Sequence, residues 1–440
     1  MALTGRTGLL TALSAIVVLF APWPQAAAAG LLLVLAALVT VDLLLAGSVR
    51  PLRLERSGDR RVRLGDSVRV TLTVANPGNR RVRGLIRDAW PPSAGARPRE
   101  QPLDVPAGER RRVAVTLTPL RRGDRDSAAV TVRSVGPLGL AARQGSHAVP
   151  WTVRVLPPFL SRRHLPAKLS RLRELEGRNP VSIRGQGTEF DSLREYVPGD
   201  DVRSIDWRAT AKRSDVVVRT WRPERDRRVL IVLDTSRTSA GRVGVDPASG
   251  DPSGWPRLDW SMDAALLLAA LAARAGDRVD FLAHDRAVRA WVPGASRTEL
   301  MSVLVNAMAP LEAELVEADS EGMVAAVLAR ARHRCLVVLL TDLNPTALEE
   351  GLLPVLPQLA ARHQVLLAAV SDPRVAAMAQ GRDTLEQVYD AAAAEHLRNA
   401  RRRMTARLRR HGVEVVDAAP EHLAPALADA YLALKAAGRL

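Results

Sequence analysis

The sequence predicts an α/β domain with a mainly parallel, Rossmann-like sheet, preceded by a small β-sandwich and an N-terminal transmembrane helical hairpin. Three observations predict it. Apolar runs of five or six residues, such as Val229–Leu233 and Cys335–Leu340, alternate with helical patterns through the second half, which specifies layered α/β structure. Period-two segments separated by turn residues fill the stretch from 52 to 156, as in a sandwich. Two apolar stretches open the chain.

Those stretches are Gly8–Phe20 and Gln25–Gly47, interrupted by Ala21-Pro22-Trp23-Pro24. The second is long enough to span a bilayer, and the first becomes so if it extends from Leu3. Arg50, Arg53, Arg56, Arg60 and Arg61 follow closely, so the positive-inside rule places the bulk of the chain in the cytoplasm, anchored to the inner membrane. A signal peptide competes with this reading, because Arg6, an apolar core and Ala26-Ala27-Ala28 resemble one. The second run and its basic flank favour the hairpin. Asp42 reads as a solvated residue near a helix end.

The domains expected are a hairpin over 1–49, a basic β-sandwich over 50–157, a polar segment over 158–227 and the α/β domain over 228–440. The sandwich region holds 22 Arg against 9 Asp or Glu, which is +13 of the net +16. An anionic inner-leaflet lipid surface would attract charge placed there. Nucleic acid ranks lower as a partner, because no interleaved aromatics or recognition motif accompany the arginines. Val68–Val74 alternates strictly before an Asn76-Pro77-Gly78-Asn79 turn. The single Cys335 excludes an internal disulfide.

Leu165–Leu175 reads as a short helix. The polar segment then runs from Arg184 to Arg213, with Gly185 and Gly187, paired carboxylates Asp200 and Asp201, and a Pro198-Gly199 turn. The structural reading is a salt-bridged clamp with Tyr196 and Trp207 as packing anchors. A catalytic reading would use Glu189 or Asp206 as a base. Val216–Trp221 is expected as an edge strand beside the main sheet, and Ala240–Arg257 as a mobile loop.

The strand Val229–Leu233 ends in Asp234, Ser236 and Thr238, a D-x-S-x-T loop, and the Cys335 strand ends in Thr341 and Asp342. Ligands gather outside the carboxyl ends of parallel strands, so Asp234, Ser236, Thr238 and Asp342 are expected to converge. An all-oxygen set suits magnesium or manganese. The plainer alternative is that Asp234 and Ser236 cap a helix. Helices are expected at Leu258–Ala275, Thr298–Ala309, Asp319–Arg332, Thr346–Arg362, Leu385–Arg410 and Pro420–Ala437. No Walker loop, G-x-S-x-G elbow or His-rich metal spacing is present, which disfavours nucleotidase, serine hydrolase and zinc enzyme readings. No organic cofactor is expected.

The run Gly187-Thr188-Glu189-Phe190, Leu193-Arg194-Glu195-Tyr196, Pro198-Gly199-Asp200-Asp201, Arg203, Ile205-Asp206-Trp207 and Ala211 resembles a bacterial family named domain of unknown function fifty-eight. The likeness extends to the hairpin and to a β-domain ending near Gly136-Pro137-Leu138-Gly139-Leu140. It implies that the α/β part looks like a von Willebrand factor type A domain. In that fold a D-x-S-x-S loop, a Thr from another loop and a later Asp bind a divalent metal. Asp234, Ser236 and Asp342 match, Thr238 replaces the second Ser, and Asp319 or Ser320 stands where the separate Thr is expected. The resemblance further implies a non-enzymatic, membrane-anchored adaptor working with a MoxR-type AAA+ ATPase and other membrane or envelope proteins. The alternatives are a metal-dependent hydrolase and a nucleic-acid-binding protein.

Overall fold

The computed structural model describes residues 2–178, 189–197, 200, 202–211, 215–222, 227–244 and 254–440. The chain divides into two compact units, Met1–Leu156 and Pro157–Leu440.

The first unit opens with β1 (Ala2–Leu3), α1 (Gly5–Leu19) and α2 (Pro24–Leu45). Pro24 starts α2, where its fixed φ suits a helix and its missing N–H costs nothing. Helix α2 has 22 residues and a mean hydropathy of 2.5, so it is long and apolar enough to cross a membrane. Helix α1, with 15 residues, is shorter than a crossing. It lies beside α2, and both expose large apolar side chains such as Leu13, Ile16, Leu33 and Val34.

Asp42 departs from the sequence expectation. It is fully buried, not solvated. Its carboxylate accepts the backbone N–H groups of Leu138 at 2.7 Å, Leu140 at 2.7 Å and Ala141 at 2.8 Å. The reason is local: the turn after Val135 points three amide donors inward, and an anion on α2 satisfies all of them. Gly136 is required here, since a Cβ would fall 2.2 Å from the Asp42 carboxylate. Around this contact Thr4 Oγ1 donates to Gly139 O at 2.6 Å, and Arg143 Nε donates to Leu43 O at 2.9 Å. Arg80 donates to Leu44 O. These two guanidinium groups satisfy carbonyls that the end of α2 leaves open.

The strands that follow are β2 (Arg53–Gly58), β3 (Arg61–Arg63), β4 (Val68–Ala75), β5 (Val82–Asp88), β6 (Ala96–Arg97), β7 (Glu100–Val105), β8 (Arg110–Leu117), β9 (Gly123–Val135) and β10 (Ala141–Leu156). One sheet has the order β1-β10-β9-β5-β7, with β3 on β10, and the other β2-β4-β8-β6. Alternation works as expected in β4, where Val68, Val70, Leu72 and Val74 are buried. Leu72, Val74 and Val113 from one sheet share a core with Ile86, Leu103, Val130 and Val132 from the other, which makes a sandwich.

The second unit contains α3 (Leu165–Arg178), β11 (Glu189–Glu195), α4 (Trp207–Thr210), β12 (Val217–Arg222), β13 (Arg228–Asp234), α5 (Arg257–Arg274), β14 (Arg278–His284), β15 (Val288–Val292), α6 (Leu300–Met308) and α7 (Ser320–Arg330). It continues with β16 (Leu336–Leu340), α8 (Pro345–Ala347), α9 (Leu353–Ala360), β17 (Gln364–Val370), α10 (Pro373–Met378), α11 (Leu385–Arg410), β18 (Glu414–Ala418) and α12 (Pro420–Ala436). The helix expected over Thr346–Arg362 is divided: a π-helical turn, Leu348–Leu352, separates α8 from α9. Pro354 and Pro357 withdraw backbone donors that a continuous helix would need.

The six-stranded sheet runs β15-β14-β13-β16-β17-β18, and only the β14–β15 pairing is antiparallel. Leu230, Val232, Val337 and Leu339 pack on the layer holding Val324, Leu356, Met404 and Leu408. The alternate residues Ile231 and Leu233 are equally buried, and α5 lies against β13 as part of the opposite layer. Strand β13 sits between β14 and β16, so the chain winds off it in both directions. Its carboxyl end is therefore a topological switch point.

Strand β12 does not join this sheet. It pairs antiparallel with β11, with Glu195 opposite Val217, in a separate two-stranded ribbon. Asp206 N–H donating to Val217 O at 2.9 Å ties α4 to the same ribbon. The expected edge strand is thus captured by its own upstream neighbour.

Helix α5 buries Asp263, which accepts Ser161 N–H at 3.1 Å. Burial raises the Asp263 pKa, outweighing the hydrogen bonds from Ser161. The folded state therefore favours the protonated form, and this group's contribution to stability falls as pH rises from the ordinary Asp range through the raised value. Asp263→Asn is expected to raise the melting temperature at pH 7, with the gain disappearing below about pH 4, the unfolded Asp value. Melting curves across pH 3–8 check this, and a gain independent of pH would refute it.

Candidate functional site

The register of the central strands places the site. Asp234 lies opposite His284, and Leu233 opposite Leu340, so Asp234, Asp285 and Thr341-Asp342 emerge at one sheet edge. Beyond Asp234 the chain turns through Arg237–Ser239 as one short 3₁₀ turn. Asp234 organises that turn. One carboxylate oxygen accepts Ser236 N–H at 2.8 Å; the other accepts Thr238 Oγ1 at 2.9 Å and Thr341 Oγ1 at 2.7 Å. Ser236 Oγ and Thr238 Oγ1 are 3.1 Å apart. Three hydroxyls thus gather around one carboxylate, all at the mouth of the sheet.

Asp342 is engaged differently. Its Oδ1 accepts Arg401 Nη1 at 2.8 Å, and Arg257 Nε lies 3.7 Å away. Its charge is therefore met by arginine. Asp319 caps α7, accepting Gly322 N–H at 2.8 Å, and its own N–H donates to Asp285 O at 2.8 Å. A cleft of about 450 Å³ runs between these groups. Asp234, Thr238, Asp319, Ser320, Thr341 and Asp342 line it, with Val232, Met323, Leu339 and Leu352 beneath. Ser236 carries no lining surface there and is fully buried.

Three residues at this edge lay outside the candidate set read from the sequence. Thr341 supplies a hydroxyl to Asp234, and its signal was its place directly before Asp342. Asp285, 1 % exposed, accepts Thr235 Oγ1 at 3.0 Å, Arg286 N–H at 2.6 Å, Ala287 N–H at 3.2 Å and Arg289 Nε at 2.6 Å. Burial opposes its ionisation, but Arg289 and these donors outweigh burial and hold the carboxyl below its usual range. The third is Arg401. His284 also faces the cleft, where burial depresses its pKa against the pull of Asp319, Asp285 and Asp234.

The polar signature segment contributes none of the residues lining this cleft, among those described. Arg194 Nη2 pairs with Asp200 at 2.5 Å, and Asp200 accepts Val197 N–H at 3.0 Å. Asp206 caps α4 through Arg208 N–H and Ala209 N–H, both at 3.0 Å, and pairs with Arg219 Nε at 2.8 Å. The Ala209 N–H first, then Arg219, hold the Asp206 carboxyl below its usual range, a poor setting for a general base, which works best with a pKa near the operating pH. Trp207 is 67 % exposed and is not a packing anchor; it begins a four-residue helix that presents it outward. Tyr196 is half-buried, and its N–H donates to Val216 O at 2.8 Å. Glu195 and Arg203 are exposed. Glu189 and Phe190 are described only as backbone of β11, and Gly185, Gly187, Pro198, Gly199 and Asp201 lie outside the described residues, as does 245–253 of the expected loop.

Residues 192–414 match the family described as "Protein of unknown function DUF58". The chain belongs to this family. The chain is similar to an uncharacterized protein of Mycobacterium tuberculosis and to one of Mycobacterium bovis, each 28 % identical over 203 residues, 46 % of this chain. The chain spans 60 % of the length of these curated relatives. Among solved structures, the Rpn10 VWA domain covers 46 % of this chain and 94 % of its own, at 11 % identity and a TM-score of 0.27. A CARDB domain of Pyrococcus furiosus covers 24 % of this chain and 86 % of its own, at 15 % identity and a TM-score of 0.19.

Among the described residues no three His, Cys, Asp or Glu side chains gather as a metal-ligating group. The oxygen atoms at this edge come from Ser236, Thr238 and Thr341 around Asp234, with Asp342 just beyond β16. All donors are oxygen, which fits magnesium or manganese and disfavours softer metals.

Proposed function

We propose that this DUF58 protein is a membrane-anchored, non-enzymatic adaptor that presents the carboxyl edge of its parallel sheet to a partner protein. The hydroxyl cluster around Asp234 carries the reading: it is a preorganised set of oxygen donors at the carboxyl edge of the parallel sheet. Asp234, Ser236, Thr238 and Asp342, joined by Thr341, would hold a magnesium or manganese ion, with Asp319 and Ser320 across the cleft. Such an ion would supply positive charge for a carboxylate of the partner. The partner proposed from the family resemblance is a MoxR-type AAA+ ATPase, acting in envelope assembly or stress. Helix α2, long and apolar enough to cross a membrane, supports the anchor, and the arginines that follow it support a cytoplasmic bulk at the inner membrane. The arginine-rich sandwich suits anionic lipid, and specific nucleic acid is not expected. The hydrolase reading is weakened by the low proton affinity of Asp206.

The test uses the full chain in detergent. Magnesium at about a hundred times its Kd would stabilise the protein by about 2.7 kcal/mol, visible as a rise in melting temperature. Asp234→Ala is expected to abolish that rise and to prevent co-elution with the ATPase. A magnesium response of equal size in both proteins would remove the metal from the reading. Undiminished co-elution would move the partner to another face.

A further inference from the structure

Helix α11 sends one arginine into the sheet edge. Arg401 spans the ends of three strands: Nη1 reaches Asp342 after β16 at 2.8 Å, Nη2 reaches Asp417 in β18 at 2.8 Å, and Nε reaches the same Asp417 at 3.2 Å. Between them, the Val370 carbonyl at the end of β17 lies 3.4 Å from Nη2. The Arg401 side chain is 12 % exposed and that of Asp342 10 %. The two carboxylates hold the guanidinium firmly charged despite its burial.

We propose that Arg401 is the resident cation of this edge, and that a divalent ion recruits Asp342 only in competition with it. The inference rests on the metal reading given above and names the residue that sets the affinity of that site. Thr341 already binds Asp234 at 2.7 Å, so the two strand ends are joined without any metal. What remains to be decided is where the Asp342 carboxylate directs its charge. Its Oδ1 faces Arg401 and, at longer range, Arg257. A dication at the hydroxyl cluster would compete for the charge of a carboxylate whose Oδ1 already accepts a part-buried, charge-assisted hydrogen bond, which is among the stronger polar contacts a protein makes.

Arg401 is not needed merely to dock the helix. Met404 and Leu408 of α11 already lie in the core beside β17 and β18 residues, and Arg407 pairs with Glu349 at 3.1 Å. Removing Arg401 should therefore leave α11 in place while freeing Asp342. A cation on a helix and a cation from solution then compete for one anion, and the protein's own cation sets the concentration at which the second one enters.

The experiment is a calorimetric titration of the full chain in detergent with magnesium chloride, comparing wild type with Arg401→Met. The expected result is at least a tenfold tighter magnesium Kd in the variant. Because Arg401→Met leaves Asp417 without its partner, Arg401→Met combined with Asp417→Asn removes the cation and the stranded charge together, and it should show the same tightening. Melting temperatures in EDTA report whether each variant is folded. Equal affinity in wild type and both variants, or weaker binding in the folded variants, overturns the competition and leaves the metal reading standing. Absence of magnesium binding in all three proteins overturns the metal reading, and the competition with it.

Discussion

Asp42→Ala is expected to be the most damaging single change in the first unit. It removes an acceptor that three backbone N–H groups share, those of Leu140 and Ala141 buried and that of Leu138 partly so, and puts nothing in its place. An unsatisfied buried donor costs about 1–3 kcal/mol, so a loss of about 3–5 kcal/mol is expected after partial relaxation. Asp42→Asn keeps one acceptor oxygen and should lose less. Denaturant unfolding of the full chain in detergent, followed by tryptophan fluorescence, gives the comparison; Trp90 and Trp151 report from the sandwich. A change under about 0.5 kcal/mol for Asp42→Ala, the range of an ordinary surface substitution, would show that the turn at Leu138–Ala141 finds other partners.

The second large effect is expected at Asp285. Its carboxylate fixes the start of the Asp234 loop through Thr235, its own turn through Arg286 and Ala287, and Arg289. Asp285→Ala strands these donors and should cost about 2–4 kcal/mol. The pH dependence has a definite sign. The carboxyl is held below its usual range, so its contribution is complete above the unfolded Asp value and is lost as pH falls through the folded one. Wild type and Asp285→Ala should therefore differ most at neutral pH and converge in acid. Parallel curves down to pH 2 would contradict the assignment.

Most strands of the second unit were legible because their evidence is local. Val229–Leu233 is a short apolar run with polar ends, and nothing but a buried strand suits it. Leu385–Arg410 appears over its full expected length, with acids early and bases late as the helix dipole prefers. The same run of late bases hides Arg401 among its neighbours. Ala394, Arg401, Met404 and Leu408 follow one another at helical spacing, and three of them are buried apolar residues. A charge interrupting an apolar stripe was the signal, and it names an inward-facing arginine without naming its partner. Asp42 shows the same limit more sharply. Its partners lie 96 to 99 residues away, beyond any periodicity or propensity. The β11–β12 ribbon was missed for a different reason: an edge strand reads the same from sequence whichever sheet accepts it.

The distance between Asp42 and its donors also has a temporal meaning. Leu138 leaves the ribosome 96 residues after Asp42, about 5–20 seconds later at ordinary rates of bacterial synthesis. Throughout that interval α2 carries a bare carboxylate near one end, with no amide to receive it. The end of α2 is thus completed only when the turn before β10 has been made. A chain truncated before Leu138 would keep both apolar helices and lack every one of the three amides that the Asp42 carboxylate accepts.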